Sequence, residues 1–233
     1  MIVRTGTSGF SYKEWKGSFY PDDLPAAEML SFYASRLGAV EINNTFYRMP
    51  KAEVLESWAE QTGEDFRFVL KASRRITHFK RLKDVDEEVV YFLRTAATLG
   101  ERLGAVLFQL PPNLKKDTER LASLLDLLGD PGRAAVEFRH PSWFASDVVE
   151  LLRERGAALC AADTDEQAGD IVDTGRLGYL RLRGADYSDA DLATWADRVR
   201  SAGWDEAFVF FKHEDAGTGP RLARRFAELA GGD

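Results

Sequence analysis

Eight short apolar runs, about seven intervening stretches of helical periodicity, and no run polar enough to edge an open sheet predict an α/β fold. A closed TIM-type (β/α)8 barrel fits this alternation, as a single domain over residues 1–233 with a short or missing sixth helix. At 233 residues the chain is a little shorter than the roughly 250 typical of that barrel, consistent with one absent helix. The expected strands are 2–6 (IVRTG), 39–43 (AVEIN), 66–71 (FRFVLK), 105–109 (AVLFQ), 134–139 (AAVEFR), 157–162 (AALCAA), 178–183 (GYLRLR) and 207–212 (AFVFFK). Apolar stripes at three- and four-residue spacing mark the helices between them: Leu30, Tyr33, Ala34 and Leu37; Val89, Phe92, Leu93 and Leu99; Leu121, Leu124, Leu125 and Leu128. Asp117, Ser142 and Asp189 stand where helices should begin, and Gly38, Gly104 and Gly156 where they should end. Residues 163–177 are too polar and glycine-broken to read as a helix.

Composition narrows the function classes. The chain is 45% hydrophobic with a net charge of −7, so the molecule as a whole does not attract polyanions and any anion site must be local. No apolar run approaches the ~18 residues of a membrane span, and the start lacks the apolar core of a signal peptide, so a soluble cytoplasmic protein is expected. A single cysteine, Cys160, excludes an internal disulfide; its parity suggests a small core residue facing the helices.

Side chains alternate faces along a strand, so parity sorts the polar residues. Val40 and Ile42 suit the helix layer, which turns Ala39, Glu41 and Asn43 inward; likewise Glu137 and Arg139 oppose Val136 and Phe138, and Arg181 and Arg183 oppose Leu180 and Leu182. Lys71 closes the third strand, Gln109 the fourth, and Asp163 follows the sixth. All lie at strand C-termini, the rim where barrel active sites occur. Buried charges must pair, so a structural plug of salt bridges is the competing reading. Lys71, Arg139, Arg181, Arg183 and Lys212 outnumber Glu41, Glu137 and Asp163, although Glu214 and Asp215 would cancel the surplus.

The loops add further candidates. Gly217 and Gly219 open a helix near Pro220, a backbone arrangement that can present free N–H groups to an anion. The loop after strand three carries Lys71, Arg74, Arg75, His78, Lys80, Arg81 and Lys83, seven potential cations within residues 71–83. Of the mouth aromatics, Trp15 and Trp143 are the choices for ligand contact. No GxSxG elbow, HExxH or phosphate-binding Walker loop is present. No cofactor is required by the sequence, although Glu41, Glu137, His140, Asp163 and His213 could assemble a divalent metal site.

Six motifs together carry a family resemblance: GTSGFSYKEWKGSFYP (6–21), EINNTFYRMP (41–50), KASRRITH (71–78), LFQLPP (107–112), VEFRHPSW (136–143) and YLRLRG (179–184). They resemble the DUF72, or YecE-like, family almost end to end. The resemblance implies a TIM-type barrel and supplies no established activity. Members often read YLRxHG at the seventh strand, where Arg183 replaces the histidine, and many carry an asparagine at the end of the eighth, where this chain has FFKHED. Both departures make this mouth more cationic, and no mechanism needing an imidazole at 183 or an amide near 212 is expected.

The leading expectation is an enzyme acting on a small phosphorylated or otherwise anionic substrate, such as a sugar phosphate or nucleotide. Arg181, Arg183, Lys212 and the Gly217–Gly219 loop would hold the anion, with Lys71, Arg139, Asn43 and Gln109 lining the site. Glu137 or Glu41 would be the general acid or base, with His140 as the alternative proton carrier. Hydrolysis, isomerisation and lyase chemistry remain open. Two alternatives come from other classes: a nucleic-acid-binding or nuclease-like protein gripping phosphates with residues 71–83 and stacking bases on Trp15 or Tyr47, and a barrel that binds without chemistry.

Overall fold

The computed structural model describes residues 1–165 and 169–231. All the strands run parallel in one sheet: β1 (Ile2–Ser8), β2 (Ala39–Ile42), β3 (Arg67–Lys71), β4 (Leu103–Gln109), β5 (Ala134–Glu137), β6 (Ala158–Leu159), β7 (Ala161–Asp163), β8 (Leu177–Leu182) and β9 (Glu206–Phe211). The order β6-β5-β4-β3-β2-β1-β9-β8-β7 is a nearly closed barrel, because β6 and β7 are successive pieces of one run split at Cys160. The split has a pairing cause. Residues 158–159 pair only with β5, while Thr174 Oγ1 accepts from Leu159 N (3.0 Å) and donates to Ala157 O (2.8 Å) on the other edge. Residues 161–163 pair instead with β8, and Cys160 N–H, which donates to Val136 O, makes the hand-over.

The helical layer comprises α1 (Met29–Ala34), α2 (Asn44–Tyr47), α3 (Ala52–Glu60), α4 (Asp86–Ala96), α5 (Thr118–Asp126), α6 (Ser146–Arg155), α7 (Asp189–Arg200) and α8 (Thr218–Ala230). The sixth helix is missing among the described residues: 164–165 and 169–176 contain none. Residues 166–168 of the expected irregular segment lie outside the described residues. Asp117 caps α5 as expected, its carboxylate accepting from Arg120 N, and Gly156 ends α6 in the left-handed conformation at φ 70°.

Four boundaries differ from expectation. α6 begins at Ser146, because His140 Nδ1 accepts from Ser142 N and caps a separate turn at 141–143. Ser188, not Asp189, caps α7, through a reciprocal box with Asp191. Gly104 ends no helix; it is the extra residue of an irregularity between β3 and β4, and a Cβ there would lie 2.6 Å from the Phe208 ring. Gly38 likewise leads into β2, four residues after α1 ends.

Two cores result. Val40, Ile42, Phe68, Leu70, Val136, Leu180 and Leu182 pack beneath the helices. Ala39, Val69, Ala105, Leu107, Ala135, Ala158, Cys160, Tyr179, Phe208 and Phe210 fill the barrel. Small residues on β2, β4, β5 and β6 leave room for the large rings of β8 and β9, so the interior is packed rather than hollow. Gly6 serves the same closeness between β1 and β2, since a Cβ there would come within 1.9 Å of Ala39 O. Cys160 therefore faces the barrel interior, not the helices as its expected parity implied, and burial pushes its thiol up. No helix among the described residues is long and apolar enough to cross a membrane.

Candidate active site at the barrel mouth

Above the apolar fill lies a polar layer built by the inward parity of β2, β5 and β8. Glu41 and Glu137 are 0% exposed, and Arg181, 2% exposed, bridges them. Its Nη2 donates to Glu41 Oε1 at 2.8 Å and its Nη1 to Glu137 Oε2 at 2.5 Å. Glu41 also accepts from Ser8 Oγ (2.7 Å), Tyr179 Oη (2.6 Å) and Asn43 Nδ2 (3.2 Å). Glu137 accepts from Gln109 Nε2 (2.9 Å to each oxygen), Arg183 Nη2 (2.8 Å) and Arg139 Nε (3.1 Å). Registers Ser8↔Glu41 and Gln109↔Glu137 set these neighbours side by side.

Burial alone would raise both carboxyls. Arg181, joined by Tyr179 and Ser8 at Glu41 and by Arg183 and Arg139 at Glu137, outweighs it and holds both below the usual carboxylate range. Burial would lower Arg181, but the two carboxylates keep it charged. This layer is thus the salt-bridge plug, with its members fixed, ionised and out of solvent reach.

A second storey reaches outward. Arg183 and Arg139 side chains are 15% and 39% exposed. Lys71 Nζ donates to Gln109 Oε1 at 2.7 Å and lies 4.2 Å from the centre of the Phe46 ring. Burial, then the positive charges of Arg181 and Arg139, bring Lys71 down to about 8 despite the opposing pull of Glu41 and Glu137. His78 packs edge-on against Phe46 with ring centres 4.8 Å apart, and Thr77 Oγ1 lies 2.9 Å from its Nδ1. Burial, Lys71 and Arg139 lower His78 as well, so it is neutral around pH 7.

Taken together, Glu41, Glu137, Arg181, Arg183, Arg139, Lys71, Gln109 and Asn43 converge as one network. Lys212 stands apart, half-exposed and 3.9 Å from Glu214, on a mouth cleft of about 580 Å³ that it shares with Arg183, His213 and Asp215. Other expectations are corrected. Asp163 shares the outward parity of Ala161: its carboxylate accepts from Tyr187 Oη (2.6 Å) and Gly169 N, away from the arginines. His213 lies 2.7 Å from Gly184 O through Nε2, and His140 is held by Ser142. The five candidate metal ligands therefore do not assemble, and among the described residues no group of three or more His, Cys, Asp or Glu could hold an ion.

Trp15 and Trp143 are core residues, at 0% and 1% exposure, and offer a ligand no face. Trp143 stacks on Phe138 and donates Nε1–H to Leu114 O; Trp15 packs among Tyr12, Phe19 and Tyr20. Gly217 takes φ 74° to cap α8, and a Cβ at Gly219 would sit 2.9 Å from His213 O, so both glycines are required by the fold around β9 and α8. Within the basic loop, residues 75–79 form a π-helical turn, and Arg75 and Lys80 both pair with Glu88. Ser8, Tyr179 and Phe46 are site residues without a predicted role, and His78, expected as one of the loop cations, is instead a residue whose pKa is lowered beside Lys71. Extending the first strand by two residues would have placed Ser8 beside Glu41.

The fold and the network define a class: a TIM-like α/β barrel with a buried arginine–carboxylate cluster at its C-terminal mouth. The chain belongs to the family described as "Protein of unknown function DUF72", whose model matches residues 4–233. The UPF0759 protein YecE of Escherichia coli K12 is 38% identical over 128 residues, 54% of this chain and 47% of YecE. The UPF0759 protein YunF of Bacillus subtilis is 32% identical over 142 residues, 57% of this chain and 50% of YunF. The match thus spans about half the length of these curated relatives. A DUF72 family crystal structure from Thermotoga maritima superposes with a TM-score of 0.84 at 28% identity, covering 98% of this chain and 99% of that one. A DUF72 family protein from Enterococcus faecalis gives 0.80 at 21% identity, covering 100% and 96%, and shares the fold.

Proposed function

We propose that the protein is an enzyme that binds a small phosphorylated or otherwise anionic substrate at the C-terminal mouth and turns it over by acid–base chemistry. One observation carries this reading: the network holds four cationic side chains, Lys71, Arg139, Arg181 and Arg183, against two carboxylates. The two arginines that reach solvent sit beside an amine with no carboxylate partner, which is the arrangement an incoming dianion would complete. Glu41 and Glu137 serve as fixed counter-charges rather than proton carriers, because a general base works best near the operating pH and these are held ionised and buried. Proton transfer falls instead to Lys71, which burial and neighbouring cations bring down towards neutral pH, and to His78, whose imidazole the same causes keep uncharged and able to accept a proton. Titration with inorganic phosphate tests the site. Arg183→Met removes a charge-assisted contact of ~1.5–3 kcal/mol and should weaken binding by about 10- to 100-fold. Unchanged affinity in a folded variant would defeat the reading.

A second reading rests on a different surface. The Arg74 guanidinium lies 5.5 Å from the Tyr47 ring and 5.2 Å from the Phe79 ring, both rings are about two-thirds exposed, and Arg75, Arg81 and Lys83 follow in the same loop. Bases of a single strand could stack there, with Tyr47 rather than the buried Trp15 as platform. Salt-dependent retention of a single-stranded oligonucleotide, lost in Tyr47→Ala/Phe79→Ala, would favour it. No retention at low salt would reject it.

A further inference from the structure

A partly buried lysine in a polar network ordinarily meets a carboxylate, and Lys71 does not. Among the described residues no carboxylate lies within ion-pairing distance of Nζ, although Glu41 and Glu137 stand in the same network. Its polar partner is the neutral Gln109 carbonyl oxygen, and that amide is itself fixed by donating its other end to both oxygens of Glu137. The amine thus stands at the C-terminal end of β3, aimed by Gln109 and backed by the Phe46 ring, at the level where the rim of a barrel meets its substrate.

We propose that Lys71 is a covalent nucleophile: its Nζ forms an imine with the carbonyl carbon of a small anionic aldehyde or ketone whose charged group rests on Arg139 and Arg183. This deepens the anionic-substrate reading and rests on it. In the step, the amine lone pair attacks the carbonyl carbon while the C=O pair moves to oxygen, which takes up a proton. The nitrogen pair then expels that oxygen as water, so the two amine protons leave with it and a carbon–nitrogen double bond remains. No oxidant, reductant or metal enters the balance.

Three features of the site suit the chemistry. An amine is nucleophilic only when unprotonated, and at about 8 Lys71 is partly so at neutral pH, where an ordinary lysine is not. Of the positive neighbours that lower it, Arg181 is sealed in the plug, while Arg139 is also one of the two arginines on which the anionic end of the substrate would rest. His78, which contacts the same Phe46 ring as Lys71, has an imidazole lowered by burial and by Lys71 and Arg139, and on this proposal relays the protons that the carbinolamine must exchange.

The test is reductive trapping. The full chain is incubated separately with glyoxylate, pyruvate and dihydroxyacetone phosphate in the presence of cyanoborohydride. Hydride adds to the imine carbon, leaving a secondary amine heavier by the probe less one oxygen atom, which intact mass and peptide mapping locate. At least one probe should label Lys71 at least tenfold faster than any surface lysine, with a rate that rises towards pH 8 and flattens above it. Lys71→Arg and Lys71→Met, both folded by circular dichroism, should lose the adduct, and Arg183→Met should slow it at least tenfold. Labelling spread evenly over the lysines, or none at Lys71 with all three probes, overturns the proposal. Phosphate titration of the same samples separates the two failures. If phosphate binds the wild type and not Arg183→Met while Lys71 stays unlabelled, only the imine falls; if phosphate does not bind either, the anion site falls with it.

Discussion

Glu137→Gln isolates the electrostatics of the plug while preserving its shape. In the folded protein this 0%-exposed carboxylate accepts from Gln109, Arg139, Arg181 and Arg183. An amide can keep its oxygen towards Arg139, Arg183 and one of the two Gln109 contacts, but its NH2 then faces Arg181 Nη1 as well as Gln109 Nε2, donors against a donor where the Arg181 contact is 2.5 Å. Turning the amide over moves the conflict from Arg181 to Arg139 and Arg183, and Gln109 meets the NH2 in either orientation. Either way one carboxylate is left among four cations. Removing one partner of a buried ion pair costs about 3–5 kcal/mol, and the individual charge-assisted contacts of ~1.5–3 kcal/mol each do not add because they share one carboxylate. The expected loss is therefore about 3–5 kcal/mol, read as a fall in urea midpoint at constant m. Arg139→Gln, which removes a contact to the same oxygen from a side chain 39% exposed, should lose less than about 1 kcal/mol. The double variant Glu137→Gln/Arg183→Gln should recover at least about 1 kcal/mol relative to additivity. A loss below about 1 kcal/mol for Glu137→Gln would mean that water or relaxation reaches the plug, and the division into a sealed and a working layer would fail.

Two further outcomes follow from the same network. Lys71→Met should raise stability at pH 7 by about 1–2 kcal/mol, since the folded state holds this amine below its ordinary 10.5; the gain should shrink as pH rises above about 8, where the folded wild type sheds the proton before the unfolded chain does. In acid the sign is opposite: Glu41 and Glu137 are lowered from 4.5, so their stabilisation is complete above that pH and is lost as pH falls below it. The pair contributes a slope of up to about 2.7 kcal/mol per pH unit, and Glu137→Gln should remove about half of that slope in acid-dependent denaturation.

Strand parity carried most of the site from sequence to structure, and it failed where the ladder changes partners. Glu41, Glu137, Arg181 and Arg183 lie on β2, β5 and β8 or directly after them, strands whose apolar alternation faces a regular helical layer, so their inward direction was legible. Cys160 and Asp163 lie on the run that pairs first with β5 and then with β8, and no local pattern announces that switch because a Thr174 hydroxyl, distant in sequence, completes one edge. Trp15 and Trp143 were misplaced for a related reason. An aromatic in a mouth loop can cover the core or face the ligand, and the outcome depends on partners such as Leu114 O that only the fold brings near. The association of Lys71 with Phe46 and His78 needs two separate loops folded over one strand end, so its members were visible singly and their proximity was not.

The two storeys answer different physical demands with shared groups. Arg181 cannot be buried without counter-charge, and Glu41 and Glu137 supply it. Once in place, Glu137 also fixes Arg139, Arg183 and Gln109, and Gln109 in turn aims Lys71. The rigidity of the upper layer is thus inherited from the lower one, without a carboxylate being spent on the amine. A surplus of two positive charges over the carboxylates of this network is unfavourable in isolation, because like charges close together in a poorly solvated site repel. On the proposed reading that unfavourable term is the source of affinity: a ligand bearing two negative charges relieves the repulsion on binding, raises the pKa of Lys71 as it does so, and takes up a proton with it. Phosphate binding should therefore be proton-linked near pH 8 in the wild type and lose that linkage in Lys71→Met, a difference that calorimetry in buffers of unequal ionisation enthalpy reads directly. Equal proton uptake in the two proteins would place the anion elsewhere.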